Sequence, residues 1–150
     1  GPVVGRISMN ILIATLIAWI SAQTGFAIVD SPKVEFVTQR LMNEIALGPN
    51  VEPNVRIHAL YSQQTKTIYL RASWNAESLK DRSELVHELV HHYQNENQTK
   101  YYCAAAREQL AYDLQIKWLR EQGVKDPYCL LGINDFFIVM SSVCRDSDLD

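Results

Sequence analysis

The sequence centres on one short segment, Ser83-Glu84-Leu85-Val86-His87-Glu88-Leu89-Val90-His91-His92-Tyr93-Gln94. It contains the pattern His87-Glu88-x-x-His91. Residues four apart on an α-helix lie on one face, one turn above the other, so the two imidazoles can bind one metal ion between them. Glu88 lies about 100° round the helix, where its carboxylate can take a proton from water that the metal activates. The pattern therefore indicates a hydrolytic zinc site.

The flanks of this segment predict a helix over about residues 79–97. Apolar residues recur three and four positions apart, as a buried helix face requires: Leu79, Leu85, Val86, Leu89, Val90 and Tyr93. Ser78-x-x-Asp81 has the form of a capping box at the helix start. The alternative is a surface helix that carries histidines by chance. Three of the four histidines of the chain fall within six residues, and this clustering weighs against chance.

The composition is that of one globular domain. The chain has 150 residues, of which 47% are hydrophobic, and a net charge of −3 from 14 basic and 17 acidic residues. No basic stripe is present, which argues against a nucleic-acid partner. We assign residues 9–145 to one domain, residues 1–8 to the remnant of a cleaved expression tag, and residues 146–150 to an acidic tail. The compartment, cytoplasmic or exported, stays open.

The first third of the chain predicts mixed secondary structure. Asn10 to Ile20 is almost wholly apolar, yet shorter than the roughly 20 residues that span a bilayer. We therefore predict a buried helix over about 9–23, ended by Gly25, in preference to a targeting segment, and no membrane-spanning segment. The elements predicted next are a strand over 33–38, a helix over 39–47, and two hairpin strands over 55–60 and 67–70.

A second long helix is predicted over about 103–122, with Leu110, Leu114 and Trp118 as its buried stripe. Together with Val86, Leu89 and Val90 of the first site helix, these residues are predicted to form the core. A polar break at residues 95–99 would fold the second helix back antiparallel to the first. Asn134-Asp135 can cap a last apolar helix that continues to Val143.

A zinc site needs a third protein ligand and an open position for water. Glu108 is the preferred ligand, because the helix reversal brings the first two turns of the second helix level with His87 and His91. Asp113 is the alternative, while Cys103 would give a closed, structural type of site.

Three further side chains have competing interpretations. Tyr112 and Gln115 share the face of Glu108, and we predict that Tyr112 helps to stabilise the oxyanion of the reaction, with packing as the alternative. His58 is predicted to lie on the polar face of its strand, in preference to contacting substrate. His92 points away from the His87/His91 face and is predicted to be a helix-surface or supporting residue.

The three cysteines, Cys103, Cys129 and Cys144, allow one disulfide and one free thiol, or three free thiols. If the chain is exported, we favour a bridge between Cys103 and Cys144. This bridge would tie the start of the second site helix to the end of the chain.

Over roughly residues 55–122 the chain resembles the gluzincin group of zincin metallopeptidases. In these enzymes a His-Glu-x-x-His helix is completed by a glutamate on a following helix, matched here by His87, Glu88, His91 and Glu108. The resemblance implies a mostly helical α+β fold with a sheet of two or three strands, whose edge strand would be Thr67 to Leu70. The gap from His91 to Glu108 is shorter than in the best-known gluzincins, and the chain is as small as the minimal members.

This resemblance and the motif together predict a zinc metallopeptidase that acts on a peptide or protein substrate. Glu88 would be the general base and Tyr112 an assisting residue. The alternative is a zincin-like module that binds metal and recognises a partner without peptidase activity. The intact Glu88 favours the enzyme, because a purely structural metal site does not need that residue.

Overall fold

The computed structural model describes residues 8–50 and 56–145. Within these ranges the elements follow in the order α1 (Met9–Thr24), β1 (Lys33–Val37), α2 (Gln39–Leu47), β2 (Ala59–Ser62), β3 (Thr67–Arg71), α3 (Leu79–Glu96), a 3-10 helix (Ala104–Arg107), α4 (Glu108–Glu121), α5 (Pro127–Leu131) and α6 (Asp135–Ser142). The predicted mostly helical α+β class with a small sheet is therefore confirmed. The predicted acidic tail, and the tag remnant apart from Ser8, lie outside the described residues.

Helix α1 is a core element, as its apolar sequence predicted. Ser8 caps its start by accepting a hydrogen bond from the Ile11 N–H, and Gly25 ends it with φ at 77°. Its buried face consists of Leu12, Ile13, Leu16, Ile17 and Ile20. Burying each such side chain stabilises the fold by roughly 1.5–3 kcal/mol. The Tyr93 hydroxyl of α3 donates to the Ile17 carbonyl at 2.8 Å and contacts the Ser21 hydroxyl, which fixes α1 against the site helix.

The sheet has the order β1-β3-β2. β1 runs parallel to β3, with Lys33 opposite Thr67, and β2 runs antiparallel to β3, with Ala59 opposite Leu70. The prediction that Thr67 to Leu70 form the edge strand is therefore wrong, since β1 adds to the far side of β3. The edge strand beside the site helix is β2.

The predicted hairpin strand over 55–60 is also displaced. β2 covers Ala59–Ser62, because the chain reverses over residues 63–66 and pairs Ser62 with Thr67. His58 thus precedes the strand, and Val55 lies outside the described residues.

Helices α3 and α4 pack against each other and carry the central core. Ser78 caps α3 through its hydroxyl, which accepts from the Asp81 N–H at 3.1 Å. The predicted core residues Val86, Leu89, Val90, Leu114 and Trp118 are buried, while Leu110 is partly buried against them. The predicted helix over 103–122 begins with the 3-10 helix, so Glu108 is the first residue of α4.

The C-terminal segment is held to the site by a disulfide. Cys103 and Cys144 are bonded, as favoured from the sequence, and Cys129 is a free, exposed thiol. α6 begins at the predicted cap, where Asn134 accepts from the Phe137 N–H, but most of its large apolar side chains are exposed. No helix in the described ranges is both long enough and apolar enough to cross a membrane.

If α1 is a core helix, shortening a side chain on its buried face should lower the free energy of unfolding far more than shortening one on its exposed face. Ile20 is fully buried and Ile11 is 59% exposed on the same helix. We expect Ile20→Ala to lower the free energy of unfolding by about 2–5 kcal/mol, and the control Ile11→Ala by less than about 0.5 kcal/mol. Urea denaturation measures both values. Equal losses in the two variants would contradict the packing described.

Candidate metal centre

Three side chains from two helices converge at one point. His87 and His91 lie one turn apart on α3, and Glu108 begins α4. The Nε2 atom of His87 is 3.0 Å from one carboxylate oxygen of Glu108, and the Nε2 atom of His91 is 2.7 Å from the other. One ligand atom from each residue lies within 4.8 Å of the other two, so the group could hold a metal ion.

A hydrogen-bond chain fixes the ring orientation of His87. The Ser83 hydroxyl donates to the Lys80 carbonyl at 2.6 Å, so it accepts from the Gln115 amide N–H at 3.1 Å. This leaves the amide oxygen of Gln115 facing the Nδ1 atom of His87 at 2.9 Å. An amide oxygen only accepts, so Nδ1 carries a proton, and in the neutral ring the lone pair is on Nε2.

A second chain fixes His91 in the same way. The amide nitrogen of Gln94 donates to the Arg107 carbonyl at 3.0 Å, which places its amide oxygen 2.8 Å from the Nδ1 atom of His91. Both imidazoles therefore hold a proton on Nδ1 and direct Nε2 at Glu108. A ligating histidine usually donates its other N–H to such an acceptor, which sets its tautomer and orientation.

This arrangement requires positive charge at the point of convergence. Two Nε2 lone pairs and a carboxylate repel one another unless a metal cation or added protons lie between them. Burial lowers the pKa of His91, but the hydrogen bond to Glu108 and the charges of Glu88 and Glu108 outweigh burial and raise that pKa to about 9. Burial raises the pKa of Glu108, yet hydrogen bonds from His87 and His91 hold it well below its usual range.

Glu88 lies beside the three candidate ligands and is not part of their group. It is only 8% exposed, and its carboxylate accepts a hydrogen bond from the backbone N–H of Tyr61 in β2. Burial is the largest influence on Glu88 and raises its pKa, against the nearby charges of His87 and His91. A carboxylate held in this way is a stronger base than an exposed glutamate.

The centre opens into a cleft of about 660 Å³. β2 and the segment before it form one wall, and α5, α6 and the loop between them supply Leu131, Ile133 and Phe137 to the other. The Tyr112 ring packs edge-on against the His87 ring, with centroids 4.5 Å apart, and burial raises the pKa of Tyr112 to about 12. Tyr112 thus lines the cleft as a protonated phenol, and its predicted catalytic part stays a prediction.

His92 anchors β2 to the site helix. Its Nε2–H donates to the Asp30 carbonyl at 2.7 Å, so its Nδ1 atom accepts from the Tyr61 hydroxyl, also at 2.7 Å. His92 is 2% exposed, so of its two predicted alternatives the helix-surface position is wrong. The face of α3 that carries His92 is not exposed to solvent, because β2 packs on it.

The alternative third ligands lie elsewhere. Asp113 is exposed and accepts from the Gln109 amide at 2.9 Å, and the sulfur of Cys103 is in the disulfide. His58 is exposed at the cleft, where Arg71 contacts its Nδ1 atom. Sequence reasoning placed Gln115 on the face of Glu108, but it missed Gln94 and the Tyr61 N–H, whose contacts depend on tertiary packing.

Comparison with known proteins gives a family for the chain. Residues 6–150 match the model of a domain of unknown function, DUF6647. The chain belongs to the DUF6647 family. No curated protein and no solved structure matches it. Since the description of DUF6647 carries no activity, the functional argument for this member depends on the geometry of its site.

Removing the amide that orients His87 should weaken metal binding. Gln115→Leu eliminates the acceptor for the Nδ1 proton of His87, and we expect metal affinity to fall about 10–100-fold. Gln115→Glu keeps an acceptor and should keep most of the affinity. Competition with a chromophoric chelator measures the binding. Gln109→Leu, an exposed change on the same helix, is the matched control. Equal affinity in the Leu variant and the control would refute the orienting role.

The metal-free protein should lose stability as the solution becomes alkaline. The pKa of His91 rises from 6.5 to about 9 on folding, so its contribution is complete below pH 6.5 and disappears as pH rises through about 9. We expect the free energy of unfolding of chelator-treated protein to decrease between about pH 7 and pH 9. His91→Gln should flatten the curve over this window. A wild-type curve parallel to that of His91→Gln would show that this ion pair adds no stability.

Proposed function

We propose that this chain is a zinc-dependent hydrolase that cleaves peptide bonds. The observation that carries the proposal is the convergence of His87, His91 and Glu108 with their lone pairs and charge directed at one point, and with Glu88 beside it. The fold is consistent with a zincin-like arrangement, since a small sheet lies along the motif helix and the next long helix supplies the glutamate.

The residues present suit zinc. Two imidazole nitrogens and one carboxylate are a common donor set for catalytic zinc, which keeps a fourth position open. Both histidines have the second hydrogen bond that ligating histidines need. Zinc bound there would act as a Lewis acid and lower the pKa of a coordinated water to about 7.

Glu88 is the proposed general base. It is buried beside the ligands, and the Tyr61 N–H restrains its carboxylate. In the reaction Glu88 accepts a proton from the attacking water and then delivers it to the nitrogen of the leaving amine. Burial raises the pKa of Glu88, which makes its carboxylate a better proton acceptor for the first step than an exposed glutamate.

The cleft supports a peptide as substrate. β2 is an edge strand of the sheet and lines the cleft beside Glu88. An extended peptide can pair with such an edge through main-chain hydrogen bonds. The apolar wall opposite, with Leu131, Ile133 and Phe137, can receive side chains of the peptide.

The general-base assignment predicts that Glu88→Gln separates metal binding from turnover. The substitution keeps the size of the side chain and removes the proton acceptor. We expect zinc content and melting temperature to hold, while peptide hydrolysis falls by about 10²–10⁴-fold. Glu108→Ala should lose both zinc and hydrolysis. Elemental analysis and a fluorogenic peptide library provide the two measurements.

Two results would overturn the proposal. Loss of zinc in Glu88→Gln would make Glu88 a ligand. A zinc-loaded wild-type protein that cleaves no peptide in a broad library would instead point to a metal-binding module that recognises a partner.

A further inference from the structure

A second carboxylate in the cleft has no function in the chemistry proposed above. Glu84 lies on α3 three residues before His87 and lines the cleft, with its side chain only 9% exposed. Its Oε2 atom is buried and has no hydrogen-bond partner among the described residues. Burying a carboxylate without such a partner is costly, so native proteins rarely retain one that nothing complements.

The nearest cation, Arg71, forms its hydrogen bonds with other groups. Its Nη2 atom donates to the Asp81 carboxylate at 3.0 Å, and Asp81 is itself buried. Its Nη1 atom donates to the Nδ1 atom of His58. The separation between Nη1 and the Oε2 atom of Glu84 is 3.6 Å, beyond hydrogen-bond length. Arg71 therefore attracts Glu84 without satisfying it.

His58 does not neutralise Glu84 either. Its Nδ1 atom is 3.8 Å from the Oε1 atom of Glu84, close enough for an ion pair if the imidazole were charged. A guanidinium only donates, so the Nδ1 atom that accepts from Arg71 carries no proton. Burial and the charge of Arg71 also lower the pKa of His58. The contact is thus between a neutral ring and a carboxylate.

When Glu84 is ionised, this cluster carries one more negative charge than positive charge, and burial raises the pKa of Glu84 to about 7. Asp81 and Glu84 share the single guanidinium of Arg71, and His58 is neutral. Lys80 is one helical turn before Glu84, yet it makes no ion pair with Glu84 among the described residues, although its charge acts on that carboxylate. The cleft therefore presents an incompletely paired carboxylate close to the metal centre.

We propose that Glu84 binds a cationic group of the substrate, an ammonium or a guanidinium. Residues three or four apart on a helix have Cβ atoms about 5–6 Å from each other, so Glu84 is one turn from both His87 and Glu88. A cation bound by Glu84 would therefore lie close to the peptide bond that is cleaved. The inference rests on the proposed function for the identity of the substrate as a peptide.

Two parts of a peptide can supply this cation. One is a lysine or arginine side chain near the scissile bond, and the other is the N-terminal ammonium. Both would give Glu84 a charge-assisted hydrogen bond, and the experiment below has an arm for each. Arg56 and Lys80 also line the cleft and could attract negative charge, so the experiment includes acidic peptides as well.

The test measures binding without turnover. Zinc-loaded Glu88→Gln protein is titrated with alanine-rich peptides that carry lysine, norleucine or glutamate at each position in turn, all blocked at both ends. A further pair differs only in a free or acetylated N-terminus. Calorimetry gives the dissociation constants. The same peptides are then measured with Glu84→Gln added, and with Glu35→Gln added as a control that removes an exposed charge from β1.

We expect lysine at one position, or the free N-terminus, to bind about tenfold or more tightly than its neutral counterpart, which is the effect of one charge-assisted hydrogen bond. This preference should vanish with Glu84→Gln and persist with Glu35→Gln. The preference in protein that retains Glu84 is informative even if Glu84→Gln folds poorly.

Binding without a charge preference, a preference for glutamate, or a lysine preference that survives Glu84→Gln would each overturn the cation site. Hydrolysis of the same peptides by wild-type protein is scored separately. A failure of Glu84 to discriminate charge can therefore coexist with peptide cleavage, whereas absence of binding by every peptide would overturn both proposals.

Discussion

The repulsion among two imidazole lone pairs and one carboxylate is the constraint on which the site depends. Two glutamine amides, Gln94 and Gln115, hold the histidine rings with Nε2 toward Glu108. Each glutamine amide is oriented in turn by a group that can only accept its N–H. For Gln94 this group is the Arg107 carbonyl, and for Gln115 it is the Ser83 hydroxyl, whose own proton is donated to the Lys80 carbonyl. The ring orientations thus follow from hydrogen-bond polarity, and together they favour a positive charge at the centre, from either a metal cation or added protons.

The sheet contributes to the site through its edge. Tyr61 of β2 contacts α3 twice, through its hydroxyl at His92 and through its N–H at Glu88, which lies one turn earlier on the same face of the helix. A shift of β2 along the helix would break both contacts. The strand therefore positions the proposed base as well as forming a wall of the cleft.

Much of this arrangement could be predicted from local sequence. The shared faces of His87 with His91 and of Glu108 with Gln115 follow from helical periodicity, and the reversal after α3 follows from the polar break at residues 95–99. The order of the strands did not, because β1 joins the sheet by a parallel pairing that leaves no short-range signal. The burial of His92 and the isolation of Glu84 were missed for a related reason: both depend on residues distant in sequence, Asp30 and Arg71.

The bridge between Cys103 and Cys144 closes a covalent ring in the second half of the chain. Glu108, Tyr112 and Gln115 lie inside this ring, whereas His87, Glu88 and His91 lie outside it. A metal ion shared by the three ligands would therefore link the ring to the rest of the polypeptide, in addition to the packing of α3 on α4. Loss of that ion would loosen the ring from α3 but leave the ring itself closed.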